Sequence, residues 1–445
     1  MRSVWPKGGL WRHGDFLKLW SAETISQFGG QIGGFALPLV AIITLDVSAF
    51  QVSALFVVEF APFLLISLPA GVWVDRLPRR PILILGDLGR AVALATIPLA
   101  YAFDVLTIWQ LYVVGGFVGV CTVFFDVAYQ SYLPSLVDRT QLVEGNSKLE
   151  VSRSAAQLSG PALAGVLVEL LKAPFAIAAD ALSFLVSGLF VLGIRKSEEN
   201  VPTRAERKEA KSSMRTELRE GLAWVLGNPY LRTISMSTAT FNFFGSMMQA
   251  ILAVYLVRGL GMSPFTIGVI FAVGNVGYLL GALTSGRIAR WIGVGPAIVV
   301  GGMGGILQLL VPLAPQDANA AIPFLVVSGL LVGFGVVLYN VTQLSMRQAI
   351  TPERLQGRMN STIRFIVWGV MPLGLLLGGA IATAFSLRTA IWIGAIGSAL
   401  AWLPLVIGPV KSLREVPDVN QEPPTLLESD ADVLFPGPIP QPEEP

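Results

Sequence analysis

One cysteine, one histidine and a charged fraction of only 13% are what this chain of 445 residues is short of. Cys121 sits inside an apolar run with no second cysteine to meet, so no intramolecular disulfide can form and redox compartment is left open. His13 has no histidine or cysteine companion, which removes the usual transition-metal ligand sets; neither a metal nor another cofactor is expected. There is no Gly-x-x-x-x-Gly-Lys-Ser/Thr loop to cradle ATP phosphates, so ATP hydrolysis is not expected, and neither is an enzyme. Arg2, Lys7, Arg12 and Lys18 are not followed by a compact apolar core and small-residue cleavage site, so the first membrane helix is expected to stay as an anchor.

Apolar length is what the chain has in excess. Hydrophobic residues make up 53% of it, and apolar runs long enough to cross a hydrocarbon core of roughly 30 Å recur about twelve times, which a soluble domain cannot bury. An all-α polytopic membrane protein follows, with its first crossing starting near residue 22 and its eleventh near 361. The net charge of +2 is sorted by loop rather than pooled in one patch, so nucleic acid is not expected as a partner and the lipid bilayer is. Alternate loops collect Arg76, Arg79, Arg80, Arg139, Lys148, Arg195, Lys196, Arg287, Arg290, Arg347, Arg354, Arg358, Lys411 and Arg414; the others hold only Lys172, Arg258 and Arg388. By the positive-inside rule the first set is cytoplasmic, together with both termini, in a cell (inner) membrane.

The hydrophilic break at 195–232 splits the membrane part into bundles at 22–194 and 233–410, after a cytoplasmic segment at 1–21. Within the break, mixed Arg, Lys and Glu precede Leu218, Leu222, Trp224 and Val225. That reads as an amphipathic interfacial helix tying the bundles together or, alternatively, as a regulatory site. Residues 411–445 are acidic and proline-rich and read as a disordered cytoplasmic tail. An internal repeat links the bundles. A shift of 211 residues sets Asp75 on Gly286 and Arg76 on Arg287; a shift of 214 sets Asn146 on Asn360, Gly160 on Gly374 and Gly165 on Gly379. Each copy holds an even number of crossings, so both run the same way and the expected symmetry axis lies along the membrane normal, with the transport path between the bundles.

These residues resemble the major facilitator superfamily across 1–410. The loop of Gly71, Asp75, Arg76, Arg79 and Arg80 is similar to its signature Gly-x-x-x-Asp-Arg-x-Gly-Arg-Arg, with Pro78 in place of a glycine. More narrowly, Phe16–Trp20, Leu68–Gly71, Phe124–Pro134 and Ser159–Gly165 look like the macrolide-efflux and enterobactin-exporter branch. Gly160, Pro161 and Gly165 resemble an abbreviated antiporter signature, while Tyr112 stands where many proton-coupled drug exporters carry an arginine. The resemblance implies a secondary transporter, expected as a monomer, exporting amphiphilic small molecules such as macrolide-like drugs or siderophore-like metabolites in exchange for protons. A proton-coupled nutrient importer and a non-transporting membrane scaffold or sensor are the alternatives.

The physical reading of the motifs runs beside this. Gly71 permits close helix approach, and Asp75 can satisfy a facing helix N-terminus or pair with the arginines as a gate latch; alternatively Arg76, Arg79 and Arg80 only anchor topology at anionic headgroups. Gly160, Pro161 and Gly165 remove bulk and one backbone donor from the fifth crossing, so a kink and tight packing are expected. Carboxylates at membrane depth are the coupling candidates, because burial favours a carboxylate's neutral form: Glu59 first, then Asp126, Asp180 and Glu23. Asp87 and Arg90 share a helical face and read as a mutually neutralising pair; Asp126 could pair with Arg153 or titrate. The family architecture implies a cavity, and the mid-membrane residues on its expected helices are Gln27, Gln31, Gln157, Phe241, Asn242, Phe244, Gln249, Asn275, Tyr278, Tyr339, Asn340, Gln343 and Trp368. Amides and aromatic faces with few fixed charges suit a bulky, mostly apolar ligand, although each could equally be helix-to-helix packing.

Overall fold

The computed structural model describes residues 9–74, 77–138, 141–196 and 214–414, and every regular element among them is helical. The first half comprises α1 (Gly14–Leu39), α2 (Ala49–Val74), α3 (Arg79–Ala102), α4 (Ile108–Leu136), α5 (Leu142–Leu171) and α6 (Ala173–Leu192). A connecting helix α7 (Met214–Gly227) leads to the second half, which opens with α8 (Pro229–Val254) and α9 (Pro264–Ile292). Its third span is broken into α10 (Val294–Gly302), α11 (Gly304–Leu307) and α12 (Leu310–Leu313), followed by α13 (Ala318–Ala349). The last two spans are the broken pairs α14 (Glu353–Gly369) with α15 (Met371–Ala384) and α16 (Leu387–Leu400) with α17 (Leu403–Ile407). Together they make 12 helices long and apolar enough to cross a membrane.

The first and eleventh spans are among those that begin earlier than hydropathy suggests, as the fifth also does at Leu142. α1 starts at Gly14 because His13 caps it, its Nδ1 accepting from the Phe16 amide at 3.0 Å, while Lys18 and Asp15 neutralise each other at 2.8 Å. The sole histidine is thus a helix cap. α14 starts at Glu353 because its polar first turns also carry Met359 and Ile363, which pack with Val225 of α7 and Leu231. The break between α14 and α15 frees carbonyls that α8 satisfies: Asn242 donates to Val367 at 2.8 Å and Ser246 to Met371 at 3.1 Å.

Each half packs internally, with α1 on α5 and α6 and α3 on α4 and α6 in the first, and α9 on α13 and α8 on α15 and α16 in the second. The halves meet through α2 with α15, α5 with α9 and α2 with α8. Repeat-related residues occupy matching places. Gly160 packs on Gln31 of α1 and Gly374 on Phe243 of α8; Gly165 abuts α9 and Gly379 abuts α2. Even the ends of α1 and α8 correspond, each running into a five-residue π-turn, Val40–Thr44 and Tyr255–Gly259.

Candidate functional site

A cavity of about 1980 Å³ lies between the halves. It reaches one face of the protein at the exposed residues Asn146, Ser147 and Glu150 of α5 and Gly357 and Ser361 of α14. This near face also carries the first described residues, since the Leu10 amide donates to Glu144 beside them at 3.2 Å. Toward the far face the wall stops at Leu37, Glu59, Gln157 and Trp368.

Beyond that depth the halves close on each other through residues without bulk. A methyl group on Gly165 would lie 2.7 Å from the Pro264 carbonyl oxygen, and one on Gly379 would run into Ser53 and Phe50. Pro161 has no amide proton to give the carbonyl four residues earlier, that of Gln157, and this carbonyl instead accepts from Asn275 of α9 at 2.6 Å. The proline therefore turns an internal helix bond into a tie across the halves. The Phe50 amide adds another, donating to Thr383 at 3.2 Å.

Among the described residues, the carboxylates at membrane depth gather in the first half. Asp87 accepts from Arg90 at 2.6 Å and from Ser187 at 2.7 Å, and the Arg90 guanidinium lies over the rings of Phe125 and Phe184, 4.4 and 4.0 Å from their centroids. The expected pair is present and buried. Arg90 also reaches the cavity wall, as do Glu23, Asp126, Asp180 and Glu59. Glu23 accepts from Gln27 at 2.7 Å through one oxygen, while its other oxygen is buried with no hydrogen-bond partner among the described residues. Asp180 is 4% exposed and fits a notch in α1 that only Gly29 and Gly33 leave open. Asp126 and Arg153 both line the cavity, but no ion pair joins them among the described residues. Glu59 packs beside Gly115 and Gly119 of α4.

Of the mid-membrane residues singled out in the sequence, Gln27, Gln31, Gln157 and Trp368 line the cavity and the others lie outside its wall. Several of those are engaged between helices: Asn242 and Asn275 in the bonds given above, Tyr339 with Thr238 at 2.7 Å, and Tyr278 against Gly333; Gln343 accepts from Arg347 at 3.1 Å within α13. Phe241 lies near Gly305, whereas Gln249 and Asn340 are exposed. Phe60, Phe63, Tyr129, Glu150, Arg364 and Phe365 are wall residues that the sequence reading passed over. Their signal was helical spacing from residues it had flagged: Phe60 and Phe63 continue from Glu59, and Arg364 and Phe365 precede Trp368 by one turn.

In the loop between α2 and α3, Asp75 and Arg76 lie outside the described residues. Arg80 donates to the carbonyls of Leu192 at 2.7 Å and Val191 at 3.4 Å, placing its charge on the C-terminal end of α6. Lys18 donates to Gly193 at the same end. Tyr112 donates to the Gln51 carbonyl at 3.0 Å and so ties α4 to α2.

The profile of the Major Facilitator Superfamily matches residues 19–310 and 235–431. The chain is 25% identical over 390 residues to the multidrug efflux pump Tap of Mycolicibacterium fortuitum, covering 85% of this chain and 91% of that one. It is 23% identical over 406 residues to macrolide efflux protein A of Streptococcus pyogenes, covering 90% and 97%. Among solved structures, a bacterial homologue of the iron transporter ferroportin in its inward-facing state superposes with a TM-score of 0.70 at 18% identity, covering 90% of this chain and 99% of that one. The nucleoside transporter NupG gives 0.71 at 12% identity, covering 88% and 98%. Likenesses this distant in sequence concern the fold.

Proposed function

Because this chain belongs to the Major Facilitator Superfamily, we propose that it is a secondary active exporter of amphiphilic small molecules that exchanges them for protons by alternating access. It is a membrane transporter whose relatives include efflux pumps. The observation that carries the proposal is a cavity of about 1980 Å³, open at one face and closed at the other, whose wall joins aromatic rings to carboxylates. Phe60, Phe63, Phe125, Tyr129, Phe365 and Trp368 offer apolar area to a bulky ligand; Gln27, Gln31, Gln157 and Asn360 offer scattered hydrogen bonds. Macrolide-like compounds are the first candidates and siderophore-like metabolites the second.

The near face is then cytoplasmic, as the distribution of arginine and lysine among loops supports, and the cavity as described would load from inside. Glu59, Asp126, Asp180 and Glu23 are the groups that could carry the proton. A carboxylate on a mostly apolar wall is costly to leave charged, so exchanging its proton for a substrate couples the two fluxes. Gly71, Asp75, Arg76, Arg79 and Arg80 are assigned to the cytoplasmic gate, with Arg80 holding its end of α6. Gly160, Pro161 and Gly165 form the packing seam on which the halves rock. The protein is expected to work as a monomer.

The test is proton release inside proteoliposomes carrying a trapped pH dye, challenged with macrolides, lipophilic dyes and siderophores. Substrate-dependent proton movement in the wild type, lost in Glu59→Gln and weakened in Asp75→Asn, is the expected result. Movement that survives Glu59→Gln would shift the carrier to Asp126, Asp180 or Glu23. No movement with any compound, in protein shown to be folded, would overturn the exporter reading in favour of a non-transporting membrane protein.

A further inference from the structure

Few cations sit in the far-face loops, and one of them bridges the halves. Arg258 belongs to the π-turn Tyr255–Gly259 that ends α8 in the second half. Its guanidinium donates to the Ile42 carbonyl at 2.8 Å, to the Val47 carbonyl at 2.8 Å, and pairs with Asp46 at 2.8 Å, all in the first half. No other ion pair among the described residues joins the two halves.

The acceptors are arranged for a cation. The last carbonyls of a helix have no intrahelical donor and carry the negative end of its dipole, and Ile42 lies in the terminal turn of the first span. Asp46 adopts the left-handed conformation, φ 49°, which stops the helix and brings the Val47 carbonyl round beside it. The repeat-related site shows what is added. A shift of 215 residues sets Val40 on Tyr255 and Asp46 on Gly261, which is also left-handed at φ 65°. The closing bonds match as well: Leu45 to Val40 and Val47 to Ala41 in one copy, Leu260 to Tyr255 and Met262 to Leu256 in the other. Under that shift Arg258 falls on Ile43, which is 47% exposed. The two turns share one backbone design, and only the second carries an arginine, which reaches across to the first.

We infer that Arg258 is the latch of the far-face gate: it holds the halves together there while the cavity is open to the near face, and it must let go for the cavity to open outward. The inference extends the alternating-access reading and rests on it. The seam of Gly165 and Gly379 gives close contact but no charge, whereas Arg258 engages three acceptors that are all released together when the halves separate. The Asp46 side chain is 87% exposed, so water screens that pair and the two carbonyl bonds carry most of the hold. Arg258 is a positioning residue; it touches neither the cavity wall nor the candidate proton carriers.

The experiment reads the gate directly. In a Cys121→Ser background, spin labels at Val105→Cys and Gln316→Cys, in the far-face loops of the two halves, report the separation of the halves in lipid nanodiscs. Wild type is expected to show mostly the short separation. Arg258→Gln should raise the long-separation fraction on the order of tenfold, Arg258→Lys by less, and Asp46→Asn about two- to threefold. High salt should mimic Asp46→Asn and leave the remainder of the Arg258→Gln effect in place. Arg258→Gln protein that melts like wild type with an unchanged distance distribution would overturn the latch. Should Arg258→Gln fail to fold, an unchanged distribution in Asp46→Asn would overturn it equally. Proteoliposomes that move no compound, together with an Arg258→Gln distribution that opens, would remove the exporter reading and keep the latch.

Discussion

The two halves share a backbone plan and both pack helices through glycines, but among the described residues only the first adds a buried ion pair. In the first, α3, α4 and α6 converge on Arg90, bound to Asp87 and enclosed by Phe125 and Phe184, with Ser187 completing the aspartate. In the second, α9 and α13 meet along a seam of small residues: Gly274 lies opposite Gly329, Gly277 on the Leu330 carbonyl and Gly281 on the Phe334 carbonyl. Glycine lets helix backbones touch, so that seam gains dispersion contact along its length without polar groups. An enclosed ion pair gains stability only while both charges and their hydrogen bonds are in place. The carboxylates of the cavity wall belong to the ionic half, and the seam half contributes mainly α14 to that wall. On the exchange mechanism proposed above, one copy of the repeat would carry the chemistry and the other would supply the partner it moves against.

The strongest way to break this contrast is Arg90→Leu. Removing the cation leaves Asp87 buried without its partner, and the expected cost is about 3–5 kcal/mol of stability, read as a fall in the unfolding midpoint in mild detergent. Removing both charges with Asp87→Asn and Arg90→Leu should recover part of that loss. A double variant as unstable as the single one would show that the pair matters by packing alone. The second test addresses the seam. A methyl group on Gly277 would run into the Leu330 carbonyl oxygen, so Gly277→Ala should cost about 1–3 kcal/mol as α9 and α13 are forced apart. Gly286 has nothing among the described residues within 4 Å of such a methyl group, and Gly286→Ala on the same α9 should change stability by less than about 0.5 kcal/mol. Equal effects at both positions would mean that helix propensity, and not the seam, governs α9.

How much of this was legible beforehand divides along the same line. The spans, the halves and the repeat follow from apolar length and residue spacing, and each repeat-matched glycine finds its counterpart contact in the other half. Asn146 and Asn360, aligned by the repeat, both lie on the cavity wall. Asp87 with Arg90 could be read from their spacing along a helix. The cavity itself could not be read as fully, because a mid-membrane amide looks the same in sequence whether it faces a ligand or another helix. Asn242 and Asn275 face helices, and the reason lies in backbone breaks: a span interrupted after Gly369 and a proline at 161 expose carbonyls that an amide must satisfy. Arg258 was visible only as an exception to charge sorting, since its acceptors come from the distant residues Ile42, Asp46 and Val47.

The smallest expected effect sharpens the comparison from the other side. Within the described part of 214–414 the ion pair is Glu220 of α7 with Arg358 of α14, and both side chains keep contact with water, at 43% and 28% exposure. Water and salt screen such a pair, and two long side chains lose freedom in forming it, so Glu220→Gln should cost less than about 1 kcal/mol after that screening. α7 is held to α14 chiefly by fully buried Val225 packing with Met359 and Ile363. Val225→Ala should therefore loosen α7 more than Glu220→Gln does, measured as faster amide exchange across Met214–Gly227. If the order were reversed, and high salt released α7 in the wild type, charge would be structural in the second half too. The division between an ionic half and an apolar one would then fail at the helix that connects them.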